Sequence, residues 1–151
     1  MMMILRSMNY EDVLRIVKGK NTVIWTCGTC AKICNGVGGQ DAADRLAERL
    51  RKDGTNVSSS ISVSAACLMS KVIRKEAEVP KDADIIVSLT CDMGVECASK
   101  AFGKDVLAPL TTIGCGFVDT DGSLMVVSEK GHYDTLKNAA AERGMGTDPL
   151  V

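Results

Sequence analysis

From residue 10 onward the apolar positions switch between a helical and a strand-like period. In YEDVLRIVK, residues 10–18, Val13, Leu14, Ile16 and Val17 form one stripe. Asn9 stands before it as a cap and Gly19 after it as a stop, so the segment is predicted to be a short helix. TVIW, 22–25, is short and rich in β-formers, which predicts a buried strand. DAADRLAERLRKDG, 41–54, spaces Ala43, Leu46, Ala47 and Leu50 as one helix face. VSSSISV, 57–63, places Val57, Ile61 and Val63 on one face of a second strand. LMSKVIRKEAEV, 68–79, reads as a helix stopped by Pro80. ADIIVSLT, 83–90, is a near-continuous apolar run of the kind covered on both faces of a sheet. A helix over 94–102 ending at Gly103, a fourth strand over 105–110 and a hairpin over 116–127 about Asp121-Gly122 follow. HYDTLKNAAAER, 132–143, is predicted to be a closing helix, with a frayed tail from Gly144.

Alternating strands and helices predict an α/β fold, with a mainly parallel open sheet and flanking helices. No linker, repeat or low-complexity stretch divides the chain, so residues 1–151 are expected to form a single domain. A hydrophobic share of 46% and a charged share of 25% suffice for a core without disulfide staples. The net charge of −1 and the 3% aromatic content argue against nucleic-acid and anionic-membrane partners. The apolar run at the N-terminus is too short for a signal peptide, and no run approaches a membrane span, so the expected compartment is the cytoplasm. In that compartment seven cysteines call for metal or redox chemistry rather than disulfides.

The cysteines follow the predicted strands. Cys27 follows the first, Cys67 the second, Cys91 the third and Cys115 the fourth. In a parallel sheet all four therefore lie at the carboxyl edge, where open α/β sheets bind ligands. Cys27, Cys30 and Cys34 have the Cys-x2-Cys-x3-Cys spacing, close thiolates that suit a [4Fe–4S] cluster with one remote fourth ligand. Cys67 is the first choice for that ligand, Cys91 follows closely, and Cys115 is in reserve. Gly36, Gly38 and Gly39 would let backbone approach such a core, and the helix starting near Asp41 would present N–H groups to an anionic cluster. Cys97 falls inside a predicted helix and reads as packing.

The segments VIWTCGTCAKICNGVGG (23–39), AAC (65–67), ADIIVSLTCDMGVE (83–96) and APLTTIGCGFVDTDG (108–122) resemble the small iron–sulfur subunit of acetogen-type methylenetetrahydrofolate reductase, the family of methylenetetrahydrofolate reductase C-terminal-domain-like proteins. The resemblance covers about residues 10–125. It implies a [4Fe–4S] cluster at positions drawn from Cys27, Cys30, Cys34, Cys67 and Cys91. It also implies an electron path to a separate flavin-bearing methylenetetrahydrofolate reductase or related one-carbon enzyme subunit. Family members usually continue into further cysteines, whereas VVSEKGHYDTLKNAAAERG, 126–144, has none, so the expectation is one cluster rather than a relay.

Two other chemistries use the same residues. Four thiolates also make a closed structural zinc site, which would leave the chain a scaffold or interaction module. Alternatively, Cys27 and Cys30 could be a thioredoxin-like dithiol. Trp25, however, is one residue out of place for that motif, and the glycines at 36, 38 and 39 would break its activating helix. The sole histidine, His132, reads as a surface or capping residue, and Asp119 and Asp121 as turn residues too few for a calcium loop. No acid–base or nucleophile constellation marks the chain as a catalyst on its own.

Overall fold

A computed structural model describes residues 2–34, 36–127, 133–135 and 150–151. In chain order the elements are β1 (Met2–Ser7), α1 (Tyr10–Val17), β2 (Thr22–Cys27), the single turn α2 (Cys30–Ile33), α3 (Gln40–Lys52) and β3 (Val57–Val63). Then come α4 (Met69–Ile73), a 3₁₀ turn (Glu76–Glu78), β4 (Ile85–Leu89), α5 (Asp92–Phe102), β5 (Asp105–Leu107), β6 (Leu110–Val118), β7 (Leu124–Val127) and β8 (Tyr133–Thr135).

The parallel sheet has the order β3-β2-β4-β5. Its two central strands are the most apolar and are buried along their whole length, as strands with both faces covered must be. Trp25 of β2 lies opposite Ile61 of β3 and Ser88 of β4. The stripe Ala43, Leu46, Ala47 and Leu50 buries α3 against this sheet, as its spacing requires. From β2 the chain first moves outward to β3, then crosses back over β2 to β4. The crossovers therefore diverge between β2 and β4, and a crevice opens outside their carboxyl ends.

The expected mixture of strand and helix holds, with a four-stranded parallel sheet and flanking helices. The expectation of one sheet does not, because a second, antiparallel sheet has the order β1-β6-β7-β8. The N-terminal apolar run is its first strand, pairing Met2 with Gly116 and Ser7 with Leu110. The expected strand over 105–110 is divided: β5 stops at Leu107, and Leu110 begins β6 of the other sheet. One buried core nevertheless runs through both sheets, from Ile4, Leu5 and Leu110 to Trp25, Leu46 and Ile86.

The hairpin expected about Asp121-Gly122 forms between β6 and β7; Gly122 takes a left-handed φ of 84° and Asp119 N–H donates to Ser123 O at 2.9 Å. The helix expected over 68–79 breaks into α4 and the 3₁₀ turn. Of the expected closing helix, Tyr133–Thr135 is a strand paired with β7. The rest of that segment, His132 and the tail from Gly144 to residue 149 lie outside the described residues. Among the described residues no helix is long and apolar enough to cross a membrane.

Candidate functional site

Four of the seven cysteines border the crevice between β2 and β4 or the loop that leads from it. Cys27 is the last residue of β2 and Cys30 the first of α2. Cys34 caps the end of α2, its N–H bonded to Cys30 O at 2.9 Å. Cys91 is on the other side of the crevice, at the N-cap of α5. The thiols act on one another: Cys30 raises the pKa of both Cys34 and Cys91, and Cys27 adds to the effect on Cys91. Burial is the larger cause in each case and holds both thiols above their ordinary value.

Two of these sulfurs accept backbone hydrogen bonds. Ala66 N–H donates to Cys27 Sγ at 3.5 Å, and Leu5 N–H to Cys34 Sγ at 3.4 Å. At Cys91 the nearby N–H groups of Met93 and Gly94, in the first turn of α5, favour the charged sulfur. Such N–H groups lower the cost of negative charge on sulfur, the opposite effect from burial. They come from β1, from the segment after β3 and from α5, so several parts of the fold converge on the thiols. Asp92 ties the two sheets together beside Cys91: its N–H donates to Thr112 Oγ1 at 3.0 Å, and its Oδ1 accepts Thr112 N–H at 3.2 Å.

The loop is shaped by its glycines. A Cβ on Gly38 would lie 3.0 Å from the Ala31 carbonyl carbon and 3.1 Å from Cys27 O, and would overlap the Ala31 methyl. Gly38 N–H meanwhile donates to Ala31 O at 2.8 Å, folding the loop back onto α2. Gly39, at φ 89°, donates its N–H to Thr26 Oγ1 at 2.7 Å and starts α3. Gly36 has φ 64° and open space around its Cα. These three glycines and the start of α3, with Lys32 and Arg45, line a hollow of about 250 Å³. The chain's own backbone thus demands small residues here. On the α5 side, Gly94 is equally constrained, since a Cβ would come within 2.6 Å of Thr90 Oγ1.

The remaining cysteines stand apart. Cys67 is exposed in the segment after β3 and is not among the thiols whose charge acts on Cys34 or Cys91. Cys97 packs against the core from α5, as its helical position suggested. Cys115, expected at the carboxyl edge, lies instead within β6 of the antiparallel sheet, its Sγ 3.7 Å from Met3 Sδ. That placement corrects its role as a reserve ligand at that edge: the run from Leu110 to Val118 is one continuous strand, not a strand followed by a loop.

Sequence reasoning missed Leu5 and Ala66 as the groups that bond the sulfurs of Cys34 and Cys27, and Met93 and Gly94 as the N–H groups near Cys91. They contribute backbone N–H groups, which no side-chain motif reports. Only the apolar run before residue 6 hinted that another segment would pack here.

The thiols match a thiolate-bound metal or cluster in donor type and in their N–H···S bonds. They neighbour one another without enclosing a point: among the described residues no three histidine, cysteine, aspartate or glutamate side chains form a group that could hold a metal ion. No protein-family model, curated protein or solved structure matches the chain.

Proposed function

We propose that this chain is an iron–sulfur protein whose cluster is held by Cys27, Cys30, Cys34 and Cys91. In this reading it passes single electrons to a flavin-bearing one-carbon enzyme subunit. The observation that carries the proposal is the pairing of these thiols about the β2/β4 crevice, with backbone N–H groups on the sulfurs. Cys91 takes the fourth position in place of Cys67, because Cys91 interacts with Cys27 and Cys30 and Cys67 is exposed. A [4Fe–4S] cluster, when bound, supplies one-electron chemistry.

The chain's own residues have three tasks. The thiols give up their protons to bind, which burial opposes at Cys34 and Cys91 and the N–H groups of Leu5, Met93 and Gly94 favour. The Gly38 turn holds α2 against Cys27, and the Asp92–Thr112 pair fixes the start of α5. Binding also requires the thiols to converge. α2 is a single turn of four residues, shorter than the helix a thioredoxin-like dithiol needs behind its cysteines, which favours ligation.

The partner rests on the resemblance of the cysteine segments to the small subunit of methylenetetrahydrofolate reductase. The test is electron paramagnetic resonance of the full chain after anaerobic reconstitution with ferrous iron and sulfide. The expected result is a signal that appears with dithionite and disappears on reoxidation. Stoichiometric zinc, no sulfide and no signal would instead make the thiols a structural zinc site. The partner has a separate test: viologen-driven methylenetetrahydrofolate reduction should need the flavin subunit, and turnover by this chain alone would contradict it.

A further inference from the structure

A cavity of about 540 Å³ opens at the opposite edge of the parallel sheet from the cysteines. Its lining includes Lys81, just before β4, and Lys104, just before β5, which places it at the amino ends of those strands. It lies where the segment after β3 is divided into two short helices: α4 stops at Ile73, a 3₁₀ turn follows at Glu76–Glu78, and Ile73 is 52% exposed. The volume falls in the range of about 300–1,000 Å³ common to small-molecule sites.

The cavity is lined by both apolar and cationic side chains. Ile73, Ala77, Val79 and Phe102 contribute the apolar surface. Phe102 is steadied from behind by Trp25, edge to face, with centroids 5.1 Å apart. Lys104 Nζ donates to Lys81 O and to Ala83 O, each at 2.9 Å. Its ammonium is thereby fixed in position with one N–H left over, and the entropy of ordering a lysine is already lost before any ligand arrives. Arg74 and Lys81 are exposed in the same lining and make no ion pair among the described residues. Among the described residues Glu76 is the one carboxylate in the lining, against these three cations.

We infer that this cavity binds a small organic anion with an apolar body. Lys104, Arg74 and Lys81 take the acidic head, and Ile73, Val79 and Phe102 take the body. The site is independent of the thiols and would stand if they bound no metal.

The experiment uses the full chain and the fluorescent aromatic sulfonate 8-anilinonaphthalene-1-sulfonate, with amide chemical shifts mapping where it binds. The probe should shift amides of residues 73–79, 81 and 102–104. Replacing the two exposed cations of the lining, Arg74→Ala with Lys81→Ala, should weaken binding about tenfold or more, as loss of charge-assisted contacts requires. Lys20→Ala, at an exposed site away from the cavity lining, should leave binding unchanged. Ile73→Glu tests the apolar wall at an exposed position, and thermal melting confirms that each variant folds. Octanoate or octyl phosphate should displace the probe, the tighter of the two identifying the head group. Octanol and inorganic phosphate should not. Shifted amides elsewhere, undiminished binding by the double variant, or equal displacement by octanol would each overturn the proposal.

Discussion

Gly38→Ala is the substitution on which the packing of the cysteine loop depends most. The added methyl would stand 3.0 Å from the Ala31 carbonyl carbon and 3.1 Å from Cys27 O, where ordinary contacts between heavy atoms need about 3.5–4.0 Å. These neighbours are backbone atoms and cannot rotate aside, so α2 and the end of β2 must separate. Forced overpacking of this kind costs about 1–3 kcal/mol. Lost freedom of the unfolded chain returns about 0.4–1 kcal/mol, because Gly38 is not held at positive φ. The net loss is about 1–2 kcal/mol, a fall in Tm of about 2–8 °C for a chain of this size. Gly36→Ala is the control. It meets no atom within 4 Å and carries only the left-handed backbone penalty of about 1–2 kcal/mol, without moving Cys27 or Ala31. The assay pairs thermal unfolding with iron and sulfide content after reconstitution. Both variants should lose stability, but only Gly38→Ala should also lose cluster. A Gly38→Ala protein with wild-type Tm and wild-type loading would refute the argument that this glycine holds the thiol loop together.

Three further outcomes follow from burial and charge. Burial first, then the 2.5 Å hydrogen bond from its hydroxyl to Asp53, raise the pKa of Tyr10, so the unfolded chain loses that proton before the folded one does. Its contribution to stability is complete below the ordinary tyrosine pKa of about 10 and is lost as pH rises beyond it, so urea midpoints from pH 9 to 11 should fall more steeply for wild type than for Tyr10→Phe. In the metal-free protein at neutral pH, iodoacetamide should modify exposed Cys67 first and Cys34 and Cys91 last, because burial keeps the latter two protonated; peptide mass spectrometry showing Cys34 as fast as Cys67 would contradict the placement. Leu46→Ala, which empties a fully buried site between α3 and the sheet, should cost about 2–5 kcal/mol by urea unfolding.

The parallel half of the fold was legible because its signals are local. β2 and β4 are short apolar runs, α3 repeats its apolar stripe, and Gly103 closes α5 in the left-handed conformation. The antiparallel half was less legible because its signals are distant. β1 forms only when Met2 meets Gly116, and the first residues alone show an apolar run with no visible partner. The apolar pattern placed Cys115 in the gap between a strand over 105–110 and a hairpin from residue 116. Yet β6 runs straight through it, and a Cβ on Gly116 would collide with the backbone of Met125, so this glycine marks a close strand approach rather than a loop. At Tyr133–Thr135, pairing with β7 overrides the helical pattern of the surrounding residues.

The candidate site was legible to the same extent. That cysteines would gather at the carboxyl ends of β2 and β4 follows from their positions after strands. Which remote cysteine joins them does not. Cys91 begins α5 immediately beside the crevice, whereas the segment after β3 carries Cys67 out to the surface. Three or four residues of loop decide the difference, and their path is set by tertiary contacts such as Gly28 N–H to Val63 O at 2.8 Å.

The central claim is that Cys91, and not Cys67, completes an iron–sulfur site with Cys27, Cys30 and Cys34. The most direct measurement is iron and acid-labile sulfide per chain in anaerobically reconstituted wild type, Cys91→Ser and Cys67→Ser, with thermal melting to confirm folding. Wild type and Cys67→Ser should each carry about four iron and four sulfide, the stoichiometry of a cubane, and Cys91→Ser should lose most of both. Full loading of Cys91→Ser, loss of the cluster from Cys67→Ser, or zinc without sulfide in the wild-type protein would contradict the account.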